Sequence, residues 1–175
     1  MRFCALAKQS TQLQPSGQAI FYNFLLNEIL ASQLEGSYQF CIISPWVTNF
    51  RLEKPYYVSF QEIVETKQEA LHLFDILYQI AANGGQVYMT VGTDRQYHPL
   101  LRQLSSKSDR IQTRILPKLH AKAYVGRYGA IEGSLNLTDG GVNQNLEMFT
   151  YYHDERNIAQ LGKRCQEYFE QGLSL

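Results

Sequence analysis

Short apolar runs of strand length alternate along this chain with longer segments of helical period, and that alternation points to a layered α/β sandwich around a largely buried sheet. Tyr38 to Ser44, Val87 to Val91, Ile111 to Leu116, Ala130 to Gly133 and Leu146 to Tyr152 read as strands. Ile20, Phe21, Phe24, Leu25 and Ile29 recur at helical spacing behind a capping Ser16, and that helix is expected to end near Gly36. A second helix is expected over Glu62 to Ala82, with Ile63, Ala70, Leu73, Phe74, Leu77 and Ile80 inward and Asn83, Gly84 and Gly85 terminating it. Pro99 sits where a short helix carrying Leu100, Leu101 and Leu104 would start. Ile158, Leu161, Cys165, Tyr168 and Phe169 mark a closing helix, whereas Asn49 to Gln61, around Pro55, lacks a clean period and reads as a loop or insertion.

No repeat, low-complexity tract or linker-like run divides the 175 residues, so a single domain is expected over residues 1–175. With 45% hydrophobic and 18% charged residues, the composition excludes a disordered chain or a coiled coil. Cys4, Cys41 and Cys165 are odd in number and far apart, which suggests neither a disulfide framework nor a thiolate zinc site and fits a reducing cytoplasm. Met1 to Ser10 lacks the basic and apolar regions of a signal peptide, and no apolar run reaches the roughly 20 residues of a membrane span. The expectation is a cytoplasmic protein without a membrane partner.

The chemistry is concentrated in one stretch. Leu119 to Val125 alternates strictly, with Leu119, Ala121, Ala123 and Val125 on one face and His120, Lys122 and Tyr124 on the other. Residues two apart on a strand stand about 6.5 to 7 Å apart on one face, so the His120 imidazole and Lys122 ammonium are expected to address one tetrahedral anion. Gly133, Ser134 and Asn136 then offer a hydroxyl, an amide and backbone N–H groups left accessible by the glycine. Such donors suit phosphoryl transfer without a metal or other cofactor. Glu147 is expected to accept a proton from an imidazole nitrogen, fixing its tautomer and stabilising the imidazolium.

His120-x-Lys122, Gly133-Ser134-x-Asn136 and Glu147 resemble, in order, the signature of the phospholipase D superfamily, at slightly tighter spacing. Ile42-Ile43-Ser44-Pro45-Trp46 is also similar to that family's early strand and turn. One departure is Arg127, which stands where the family's motif has an aspartate. The resemblance implies an α/β/α sandwich with a central mixed sheet, and a two-step displacement through a covalent phosphohistidine on His120. It also implies a second histidine as leaving-group acid. His72, His98 and His153 are not followed by a lysine at the motif's spacing, so this chain has one such motif. The resemblance therefore implies a homodimer with one active site shared between two copies.

The basic residues indicate which phosphodiester is at stake. Formal net charge is zero, with sixteen basic and sixteen acidic residues. Arg95 to Tyr128, however, holds eight basic residues against Asp109 alone, a net of plus seven, and leaves minus seven to the remainder. Arg95, Arg102, Arg110, Arg114, Lys118 and Arg127 are candidate nucleic-acid contacts beside the motif. A nuclease is favoured, with DNA as the preferred partner. The alternatives are a nucleic-acid-binding subunit of weak or no activity, and a phospholipase-type hydrolase, for which an amphipathic basic helix is missing. The resemblance also extends to small single-motif proteins of bacterial defence or DNA-modification systems, so other subunits of such a complex are candidate partners. Phe50, Tyr56, Tyr57 and Phe60, interleaved with Arg51 and Lys54, could stack on bases or pack between two copies.

Overall fold

The computed structural model describes residues 9–12, 15–64 and 70–175. Cys4 and most of the N-terminal segment read for a leader lie outside these residues. In chain order the elements are β1 (Gln9–Gln12), α1 (Pro15–Leu34), β2 (Gln39–Ser44), α2 (Lys54–Gln61), α3 (Leu73–Ala82), β3 (Gln86–Val91) and α4 (His98–Ser106). There follow β4 (Ile111–Ile115), β5 (Ala123–Val125), β6 (Ala130–Gly133), a π-helical turn (Gly140–Gln144), β7 (Met148–Tyr152), α5 (Glu155–Gln171) and β8 (Leu173–Ser174).

The strands form one mixed sheet in the order β1-β7-β6-β5-β2-β3-β4-β8. β2, β3 and β4 run parallel and are joined by helical connections, and every other strand pairing is antiparallel. The two outer strands are short, which limits the unpaired edge offered to another chain. One face carries the larger core, where Phe21, Phe24, Leu77, Ile80, Leu101 and Leu104 from α1, α3 and α4 meet Phe40, Ile42, Val87 and Met89 of the sheet. On the other face α5 packs Leu161 and Cys165 against Ile43, Ala123, Val125 and Ala130. Ser44 and Thr90 are buried between these layers, so the central strands read as near-continuous apolar runs.

β1, β8 and the π-helical turn are not among the expected elements, and Ser16, expected as a cap, lies within α1, which begins at Pro15. Two stretches between β2 and β3 also differ from the expectation. The stretch expected as a loop contains α2, which Pro55 opens from the first turn, where its missing N–H costs nothing. Conversely, where a long helix is expected from Glu62, residues 62–64 form a turn and α3 begins at Leu73. Leu71 and His72 are extended instead, because Leu52 N–H donates to Leu71 O at 2.8 Å and Leu73 N–H to Phe50 O at 3.0 Å. Asp75 then starts the helix by accepting from His72 N–H at 2.8 Å, and Gly84, at φ 97°, ends it in the left-handed region that glycine tolerates. Among the described residues no helix is long and apolar enough to cross a membrane.

Candidate active site

β5 lies antiparallel beside β2, with Ile43 opposite Ala123, so the chain entering β5 passes the end of β2 at Ser44 and Pro45. β6 and β7 continue the antiparallel run, with Ala123 opposite Glu132 and Gly133 opposite Phe149. His120, Lys122, Gly133, Ser134 and Glu147 thereby reach one edge of the sheet.

The strand expected over Leu119 to Val125 is regular only over Ala123–Val125. Its partner β2 stops at Pro45, which has no N–H for the ladder, and Ser44 turns its hydroxyl to the loop: it donates to Trp46 O at 2.7 Å and accepts from Leu137 N–H at 3.1 Å. His120 is consequently exposed on an irregular segment. Lys122 is buried and reaches back along the chain, its Nζ donating to His120 O at 2.7 Å. The ammonium is thus tied to the histidine's own peptide instead of standing free beside the imidazole. Burial pulls the Lys122 pKa below its ordinary value, and the charge of Glu147 acts against that shift.

Gly133 is required by close packing. A Cβ there would meet Phe149 Cβ at 2.7 Å and the backbone of Met148. Its N–H donates to Lys122 O at 3.2 Å and that of Ser134 to Met148 O at 2.9 Å, so neither is free to bind an anion as the sequence suggested. The Ser134 hydroxyl accepts from Met148 N–H at 3.0 Å and donates to Glu147 Oε2. Asn145 Nδ2 donates to the other oxygen, Oε1, at 3.3 Å. Glu147 is held by these two side chains, and no hydrogen bond joins it to His120. Asn145, which the sequence did not single out, owes its place to the π-helical turn, closed by its N–H on Gly140 O at 2.7 Å. Asn136 lies beyond the buried Leu135, whose carbonyl accepts from Tyr124 OH at 2.6 Å. Asn136 Oδ1 is the one buried side-chain polar atom without a hydrogen-bond partner among the described residues, a departure that often marks a working site.

The basic stretch does not form one patch. Arg95 and Lys118 follow the ends of β3 and β4 at the motif edge, and Arg102 is exposed on α4. Arg110 and Arg127 are carried by their strands to the opposite edge: Arg110 Nη1 donates to Gly84 O at 2.7 Å, and Arg127 lies 3.7 Å from Glu35. Arg114 caps the last turn of α5, donating to Phe169 O at 3.1 Å with its guanidinium 4.5 Å from that ring. The aromatics proposed for stacking are drawn inward as well. Phe50 and Phe60 are buried and Tyr56 stacks on Tyr22 with ring centroids 4.5 Å apart, while the side chain of Tyr57 lies outside the description. Trp46, which the sequence places in a family-like strand and turn but not in the site, stands open instead: it is 45% exposed just after β2. Being the chain's only tryptophan, directly behind a strand-ending proline, was the available signal.

A cavity of about 730 Å³ lies between α5 and the sheet and is lined by Tyr38, Cys41, Tyr88, Gly126, Cys165 and Phe169 among others. None of the motif residues borders it. His120, Gly133 and Ser134 are exposed at the motif edge. Among the described residues no group of three or more His, Cys, Asp or Glu could hold a metal ion.

No protein-family model and no curated protein matches the chain. Solved structures do. NucT from Helicobacter pylori superposes with a TM-score of 0.63 at 14% identity, covering 96% of this chain and 98% of NucT. Nuc from Salmonella typhimurium, a phospholipase D family member, gives 0.64 at 15% identity, covering 96% of this chain and 97% of its own. TrmBL2, an archaeal chromatin protein with a novel mode of DNA binding, gives 0.57 at 11% identity over all of this chain and 57% of TrmBL2. At such identities the likeness is one of fold, and it agrees with what the motifs implied: the chain has the phospholipase D fold, with His120, Lys122, Gly133, Ser134, Asn136 and Glu147 brought to one end of its sheet.

Proposed function

We propose that the protein is a phosphodiesterase, most specifically a nuclease, that works without a metal through a covalent intermediate on His120. The observation that supports this best is the convergence of His120, Lys122, Ser134, Asn136 and Glu147 at one sheet edge of a phospholipase D fold. Among its fold neighbours, Nuc is a phospholipase D family member.

In this reading an imidazole nitrogen of His120 attacks phosphorus, a P–N bond forms, and the P–O bond to the leaving alcohol breaks. The leaving oxygen takes a proton from an acid, and water later cleaves the P–N bond. Lys122 and the Asn136 amide stabilise charge on the non-bridging oxygens. For that, Lys122 exchanges its backbone contact at His120 for the phosphate. Glu147, steadied by Ser134 and Asn145, is the acidic partner for an imidazole, its own subunit's or a second copy's. A chain with one His-x-Lys motif lacks the leaving-group acid. His153 follows β7 at the far edge, His72 stands at the start of α3 with Nδ1 3.7 Å from Asp75 Oδ2, and His98 is buried with Nε2 3.2 Å from Gly92 O, so the proposal includes a homodimer in which the second His120 supplies the proton.

Hydrolysis of oligonucleotides and a model phosphodiester in EDTA tests this. Wild type is expected to cleave, His120→Ala to lose at least a thousand-fold, and Lys122→Ala to lose on the order of a hundred-fold or more. Robust cleavage by His120→Ala would overturn the assignment. A second reading, a nucleic-acid-binding subunit without catalysis, draws on the likeness to DNA-binding TrmBL2 and on Arg127 in place of the motif's aspartate. It predicts salt-sensitive binding that both variants retain, with no cleavage.

A further inference from the structure

Trp46 is held unusually firmly for an exposed residue. Its carbonyl accepts from Ser44 Oγ at 2.7 Å, and that fully buried hydroxyl also accepts from Leu137 N–H at 3.1 Å. Val47 forms a parallel bridge with Leu137, and Thr48 N–H donates to Leu137 O at 2.9 Å. Trp46 and Asn136 are the residues that precede the two ends of this bridge, so the indole is carried next to the Gly-Ser-x-Asn turn. Val47 and Leu137 are both buried, whereas Trp46 opens to solvent beside the half-buried Asn136, whose Oδ1 is covered and without a partner.

An aromatic plate is therefore fixed next to the amide of the Gly-Ser-x-Asn turn. Indole has two side-chain torsions to order and a broad face, which makes it an inexpensive stacking surface when its backbone is already pinned. The neighbouring groups, His120, Lys122 and Asn136, are donors suited to a phosphodiester and not to an apolar partner. A chemically matched occupant alternates a phosphate with a flat aromatic ring, as nucleic acid does. Stacking on a side chain requires a base whose face is not already covered by its neighbours.

We infer that Trp46 is a stacking platform for an unpaired nucleobase flanking the scissile phosphodiester, which makes single-stranded nucleic acid the substrate class. This rests on the nuclease reading above and adds a specificity-determining residue to it.

Because Trp46 is the only tryptophan, its fluorescence reports on this position alone. The full-length His120→Ala protein in EDTA is titrated with a single-stranded oligodeoxynucleotide, with an abasic strand of the same length and charge, and with the corresponding duplex. The single strand is expected to quench the emission, the abasic strand and the duplex to do so far less. In anisotropy measurements with labelled strands, Trp46→Ala is expected to weaken binding of the base-bearing strand roughly five- to hundred-fold, with Trp46→Phe retaining most of the affinity and the abasic strand unaffected. Three results would overturn the inference: no quenching on binding, equal loss on both strands, or reduced self-association of Trp46→Ala in sedimentation with oligonucleotide affinity unchanged. The last would place Trp46 between two copies of the chain. Failure of the nuclease reading shows separately, as unimpaired hydrolysis by His120→Ala, and does not alter the binding measurement.

Discussion

Glu28 is buried on α1, where its Oε2 accepts from Tyr38 OH and from Arg127 N–H at 3.2 Å. Two donors on one oxygen leave the other free to carry a proton, and burial raises the carboxyl pKa from 4.5 to about 7. The sign for stability follows. Below pH 4.5 the group is protonated in both states; as pH rises, the unfolded chain ionises first and stability is lost until about pH 7. The full loss above that is on the order of 3 kcal/mol. Glu28→Gln keeps an acceptor for both donors and should be more stable than wild type at pH 8, with the advantage vanishing near pH 5. Denaturant unfolding at the two values checks this, and an advantage independent of pH would contradict it. At this scale the sequence showed the motif residues but not their partners. His120 and Lys122 were legible from alternation, yet Lys122's turn onto the His120 carbonyl depends on where Pro45 stops a strand about seventy-five residues earlier in the chain. The same holds for Gly133, whose N–H is consumed by the ladder and not offered to an anion.

Most elements were legible because their signals are local. Apolar runs located β2, β3, β4, β6 and β7, and Pro99 and Gly84 marked a helix start and a helix end. The errors fell where tertiary pairing overrides period. Ile63 and Ala70 continue the apolar spacing of α3, but the antiparallel bridge between Arg51 and His72 holds Leu71 and His72 extended immediately before that helix. This gives Asp75 a specific role. At the third position of a helix that begins at Leu73, its carboxylate satisfies the His72 N–H, and Asp75→Ala should cost about 1 kcal/mol. For a domain of this size that lowers Tm by about 2 to 4 °C in thermal unfolding. In a helix running from Glu62 the same position would be interior, and alanine would be neutral or stabilising.

For the whole molecule, strand order is the property the sequence could not supply. That β5 lies between β2 and β6 follows from non-local pairing, and it is this order that gathers residues from four chain passages at one edge. The same topology divides the basic stretch, sending Arg110 and Arg127 to the far edge, where they serve the fold. Arg95, Lys118 and Lys122 remain near the motif. Zero net charge thus coexists with a locally basic motif edge, though one carrying fewer positive charges than the linear count suggested. The most direct test is to trap the intermediate. The protein is incubated in EDTA with an oligonucleotide carrying internal radiophosphorus, quenched with alkali, digested and mapped. The expected result is label stable in alkali, lost in acid, and confined to the peptide bearing His120. Cleavage of the substrate with no label on that peptide would contradict the role assigned to His120.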